Sequence, residues 1–103
     1  MVKVVWTDSA ISDLDAIGEY IAKDSIRYAE ITVSELFEAV DILEEFPKSG
    51  SIVPEFNNQK IRQLVRGNYR IVYLIVDEFR IDILTVHNCA RLISNTKPFN
   101  KTE

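Results

Sequence analysis

The chain has 103 residues, 47% hydrophobic and 27% charged, with three glycines and three prolines, which excludes disordered and collagen-like classes. That length fits one domain with a real core, because about 65% of an unfolded chain's surface is buried at this size. A net charge of −4 and a pI near 5.0 argue against strong nonspecific binding to nucleic acid, whose footprint is a strongly basic domain.

The single cysteine, Cys89, cannot form an internal disulfide, and one Cys with one His cannot supply four zinc ligands. No metal or cofactor is therefore expected. Met1 leads straight into "VKVVW", without the charged region, apolar run and cleavage site of a secretory leader. The longest apolar run, Ile71 to Val76, is too short to span a bilayer. A cytoplasmic protein with no membrane contact is expected.

Val2 to Trp6 is β-branched and closes on an aromatic, which predicts a strand. Thr7 offers an N-cap hydroxyl, and Asp8 places a negative charge in the first turn of a helix. Ala10, Leu14, Ile17 and Ile21 then recur at helical spacing, predicting a helix from about Asp8 to Lys23. Asp24 and Ser25 break it and cap a second helix, about Ile26 to Glu45. Its stripe is Ala29, Val33, Leu36, Val40 and Leu43, widened by Phe37. Two helices joined by two residues pack as an antiparallel hairpin. Its carboxylates, among them Asp13, Glu19, Glu30 and Glu38, are expected on the outer faces.

Phe46 to Gln59 reads as a long loop with two prolines, a length at which ordered loops often carry function. Lys60 to Arg66 is strand-like, and Gly67-Asn68 is a two-residue hairpin turn. Tyr69 to Val76 is apolar at nearly every position, as in a central strand covered on both faces. Asp77-Glu78 turns the chain into a last strand, Arg80 to His87. Ser94 to Glu103 is a polar tail with a proline.

The fold class is therefore α+β, in the order β-α-α-β-β-β, with the helix hairpin packed on one face of a mainly antiparallel sheet. Residues 1–93 form a single domain, and 94–103 the tail. Parity places Lys60, Arg62 and Arg66, with Leu64, on the face away from the helices. Charge is also split along the chain. Residues 1–45 carry 3 basic and 11 acidic side chains, and residues 46–103 carry 9 and 5. Lys60, Arg62, Arg66, Arg70 and Arg91 are accordingly the candidate partner surface.

An ordered set of short motifs carries a resemblance. Trp6-Thr7, Ala10, Asp13-Leu14 and "YIA" (Tyr20 to Ala22) are followed by "FPKSG", "VPE", "IRQL", "GNYRIVY" and "VHNCAR". Over residues 2–93 this resembles the ParE/RelE superfamily of small toxins from bacterial type II toxin–antitoxin modules. It is more similar to ParE and the plasmid-stabilisation proteins than to the RelE ribonucleases. The resemblance implies the same element order, a cognate antitoxin as constant partner, DNA gyrase as target, and a toxin–antitoxin heterotetramer as an allowed assembly. Two positions depart from it. Ser51 stands where the family often has arginine, and Leu92 where it often has aspartate.

The rival reading is a RelE-type, ribosome-dependent messenger-RNA endonuclease. Phosphodiester cleavage needs a base, an acid and cations around the phosphorane. His87 suits acid or base, with an ordinary pKa of about 6.5. Arg62 and Arg91 can clamp phosphate, and Glu55 can supply a carboxylate. These four are the catalytic candidates. Against them stands the bland role, in which His87 ends a strand by hydrogen bonding and Arg91 pairs with a carboxylate. A third reading is a degenerate member that keeps the fold and antitoxin binding without toxicity. Cys89 is expected to be a small, partly buried hydrophobe.

Overall fold

The computed structural model describes residues 1–89. Strand β1 is Lys3–Trp6, helix α1 Asp8–Ala22 and helix α2 Ile26–Ala39; a 3-10 turn follows at Val40–Glu44. Strands β2 (Ser51–Ile52), β3 (Ile61–Arg66), β4 (Tyr69–Ile75) and β5 (Arg80–Asn88) come after, with a short 3-10 turn at Pro54–Phe56. The five strands form one sheet in the order β1-β5-β4-β3-β2. Only the β1–β5 pairing is parallel, with Val4 beside Ile81 and Trp6 beside Ile83. The α+β architecture expected from the sequence is the one observed.

Both helices start where the sequence marks them. Thr7 Oγ1 accepts from the Ala10 N–H at 3.1 Å, and Ser25 Oγ accepts from the Tyr28 N–H at 3.0 Å. The Thr7 hydroxyl also donates to the Ile83 carbonyl at 2.6 Å, tying the start of α1 to β5. Helix α2 stops earlier than its periodicity predicts. From Val40 the chain tightens to 3-10 geometry, which brings Val40 and Leu43 into the core and sets the Glu44 carbonyl where it accepts from Val2 N.

The core lies between the helices and one face of the sheet. It contains Ala10, Leu14, Leu36, Val40 and Leu43 from the helical layer, and Leu64, Ile71, Tyr73, Ile81, Ile83 and Val86 from the strands. Trp6 packs at its margin, stacked on Phe37 with ring centroids 5.3 Å apart.

Three expectations change. Leu64 belongs to this core, so the parity of Arg62, Leu64 and Arg66 is that of the helix side and not of the far face. Asp13 is not on an outer face. Its carboxylate accepts from Thr85 Oγ1 at 2.6 Å and from the Val86 N–H at 3.0 Å, capping the edge of β5 where β1 has ended. Finally, the long loop is built, not open. Ser51 and Ile52 pair with Gln63 and Arg62, and the Pro54–Phe56 turn follows with Asn57 left-handed at φ 47°. This segment buries Val53 and covers Val72, so β4 is covered on its second face by a loop and not by a helix.

Candidate functional site

Alternation along β3, β4 and β5 decides which candidate residues meet. Val65, Arg70 and His87 are directly opposite one another across the three strands. Their face is the one away from the helices. A register shift between Val72 and Tyr73 lets β5 bulge there, and Leu84 and Thr85 both reach the same hollow. That hollow, of about 280 Å³, is lined by Arg70, Val72, Thr85 and His87 from the sheet and by Val53, Glu55 and Phe56 from above. Glu55 and His87 therefore do share a pocket. Arg70, which the sequence suggested only as partner surface, lines the same pocket, and its guanidinium donates to Gln63 Oε1 at 3.0 Å.

His87 is half-buried in this pocket. Burial pushes its pKa below the usual 6.5, the Arg70 guanidinium pushes it the same way, and Asp13 opposes them. The imidazole is thus neutral at pH 7. It suits a base or a hydrogen-bonding group better than an acid.

Arg62 is elsewhere. It stands opposite Tyr73, on the helix side of the sheet. Along the strands it is three residues from the Arg70–His87 level, about 10 Å away by rise alone. Its guanidinium holds the loop, donating to the carbonyls of Gly50 (2.9 Å), Gln59 (3.2 Å) and Lys48 (3.4 Å). Tyr73 completes that knot. Its hydroxyl accepts from the Gly50 N–H at 3.0 Å and donates to the Pro47 carbonyl at 2.8 Å. Burial pushes the Tyr73 hydroxyl above its ordinary pKa of 10, against the smaller opposing effects of Gly50 and Arg62, so it stays protonated. The "FPKSG" motif is thus a structural lock on the sheet.

Among the described residues the basic candidates lie apart. Arg70 lies on the far face, and Arg62 lies under the loop. Arg66 borders a hollow with Tyr28, Glu35 and Glu38 of α2, and Lys60 borders one at the opposite end of the sheet. Arg91, Leu92 and the 94–103 tail lie outside the described residues. Among the described residues no group of three or more His, Cys, Asp or Glu side chains is placed to hold a metal. No helix among them is long and apolar enough to cross a membrane.

A second recess lies between the helices. Leu14, Ala22, Ile26, Ala29 and Val33 line a groove of about 460 Å³ along the α1–α2 hairpin, with Asp15, Glu19 and Glu30 around it. Ile26 is 68% exposed there. Leu14, Ala29 and Val33 belong to the helical stripes that periodicity assigns to the core, and Leu14 and Ala29 are buried, whereas Ala22 and Ile26 lie outside those stripes.

A helix hairpin laid on a β-meander whose edge is completed by a parallel N-terminal strand defines the class of small ParE/RelE-type toxins. Residues 4–93 match the family described as the ParE toxin of the type II toxin–antitoxin system parDE, and the chain belongs to that family. It is 32% identical over 92 residues to Toxin RelE2 of Caulobacter vibrioides, covering 89% of this chain and all of that one. The fold superposes on the chromosomal ParDE toxin–antitoxin system from P. aeruginosa with TM-score 0.69, at 26% identity over 85% of this chain and 96% of that one. The RelBE2 toxin–antitoxin complex from Mycobacterium tuberculosis shares the fold at TM-score 0.53 and 24% identity, over 84% of this chain and 96% of that one.

Proposed function

We propose that this ParE-family toxin acts by binding a protein target, DNA gyrase, and not by cutting RNA, and that a cognate antitoxin neutralises it. The observation that carries the reading is the commitment of Arg62. A phosphate clamp must face the same space as the acid and base. Arg62 faces the other side of the sheet from His87 and is spent on three loop carbonyls. A net charge of −4 adds to this, because a ribosome's phosphate surface repels such a ligand at long range. A protein target sets no such demand, since affinity at a protein interface rests on a few desolvated anchors.

The antitoxin partner is supported by the family match, by the solved ParDE relative and by the α1–α2 groove. An apolar floor with an acidic rim fits an amphipathic helix with basic flanks.

The rival endonuclease keeps one point in its favour, the convergence of Glu55, Arg70 and His87 on one pocket. Toxicity separates the two readings. Removing a true general acid or base costs about 10²–10⁴-fold. His87→Ala is expected to leave growth arrest within about tenfold of wild type at matched soluble protein. A folded, soluble and harmless variant would move the assignment to the endonuclease.

A further inference from the structure

At the end of the sheet away from the Gly67-Asn68 turn, the structure has a broad hollow of about 890 Å³. Its apolar strip is Phe46, Pro47 and Ile75, and Phe46 is 59% exposed. The charges around this strip are segregated. Lys60 directly precedes β3, and Lys48 lies over β3, its carbonyl held by the Arg62 guanidinium. Asp77 and Glu78 occupy the turn between β4 and β5. Glu45 follows the 3-10 turn whose Glu44 carbonyl is bonded to Val2 beside β1. In the sheet order β1-β5-β4-β3-β2, the carboxylates therefore stand towards β1 and β5, and the lysines towards β3. None of these five side chains makes an ion pair among the described residues.

We infer that this end of the sheet is an interface between two copies of the chain. An isologous contact needs a patch that complements itself under a twofold axis. An apolar strip with acid along one side and base along the other meets that condition. Each copy's lysines face the other's carboxylates, and Phe46 packs on its counterpart. A partner of one dominant charge would be attracted by one rim and repelled by the other. Nine residues line the hollow, against about 20–30 a side in a standard interface, so the dimer is weak, micromolar or above. The patch shares no residue with the α1–α2 groove, so a second copy here leaves the groove free.

Sedimentation velocity on the full chain, from low micromolar to millimolar, tests this. The expected result is a reversible monomer–dimer equilibrium that weakens with added salt. Lys60→Glu and Glu78→Lys should each weaken the dimer about tenfold, because a symmetric contact counts each change twice. Combining both in one chain should restore it, since the reversed charges again face each other. Phe46→Ser should abolish the dimer while the circular dichroism spectrum is unchanged. A monomer at every concentration would overturn the inference. So would a dimer indifferent to all these changes, or a double variant no tighter than either single one.

Discussion

His87 sits opposite Arg70 in a half-buried pocket, and both burial and that guanidinium disfavour its charged form. The sign of the linkage follows. The unfolded chain takes up the His87 proton near pH 6.5, while the folded chain resists until lower pH. The His87 contribution to stability is therefore complete above pH 6.5 and declines as the pH falls below it, until the folded-state pKa is passed. Chemical denaturation between about pH 5 and 7.5 should show this decline. His87→Gln should flatten it, and an unchanged slope would show that His87 is not the group responsible. Two glycines make a paired test. A Cβ on Gly50 would lie 2.5 Å from the Gln63 carbonyl and 2.7 Å from the Tyr73 hydroxyl, whereas Gly67 has open space but a φ of +59°. Gly67→Ala should cost about 1–2 kcal/mol from its left-handed backbone alone. Gly50→Ala should cost more, because backbone must move and the Tyr73 bonds are disturbed. Equal shifts in urea midpoint would contradict this account of the loop. The Gly67 role was legible in the sequence, since "GN" between strands fixes a turn locally. The Gly50 role was not, because it depends on Tyr73, 23 positions away.

At the scale of elements, the strands and helices were legible because each has a local cause: a cap at Thr7 or Ser25, a period of 3.6 in α1, a β-branched run in β4. The face assignment failed because parity alone has no sign. Only the packing of Leu64 against the helix side fixes it, and Arg62 and Arg66 then follow Leu64. Asp13 was misplaced for a related reason. A carboxylate on a helix looks solvated until the end of β1 leaves the Val86 N–H to be capped. Convergence of Glu55 and His87 was suggested by chemistry and not by spacing. It arises because the Pro54–Phe56 turn folds back over β4 and β5. The helix hairpin also carries a testable role. If the α1–α2 groove seats the antitoxin, then Ile26→Asp puts a charge on its exposed apolar floor with little cost to the fold. Co-purification with the cognate antitoxin should be lost or weakened at least tenfold, about 1.4 kcal/mol. Undiminished co-purification of a folded variant would place the antitoxin elsewhere.

For the molecule as a whole, the proposed protein target rests on the distribution of charge. Asp15, Glu19 and Glu30 of the acidic N-terminal half rim the helix hairpin, and the described basic residues of the other half are dispersed over different faces of the sheet. Phosphate recognition needs several cations converging on one surface. Among the described residues Arg62 is bound to the loop, Arg66 lies beside α2, Lys60 is at the sheet end, and Arg70 alone of the basic residues shares the His87 pocket. This dispersal is the basis of the proposal that the target is a protein surface and not ribosomal RNA. The most direct measurement is gyrase supercoiling of relaxed plasmid in a purified reaction without ribosomes, run beside a translating extract in which messenger RNA is followed. The account predicts that the purified protein inhibits supercoiling, that stoichiometric antitoxin relieves the inhibition, and that transcripts in the extract stay intact. Cleaved transcripts with supercoiling untouched would contradict it.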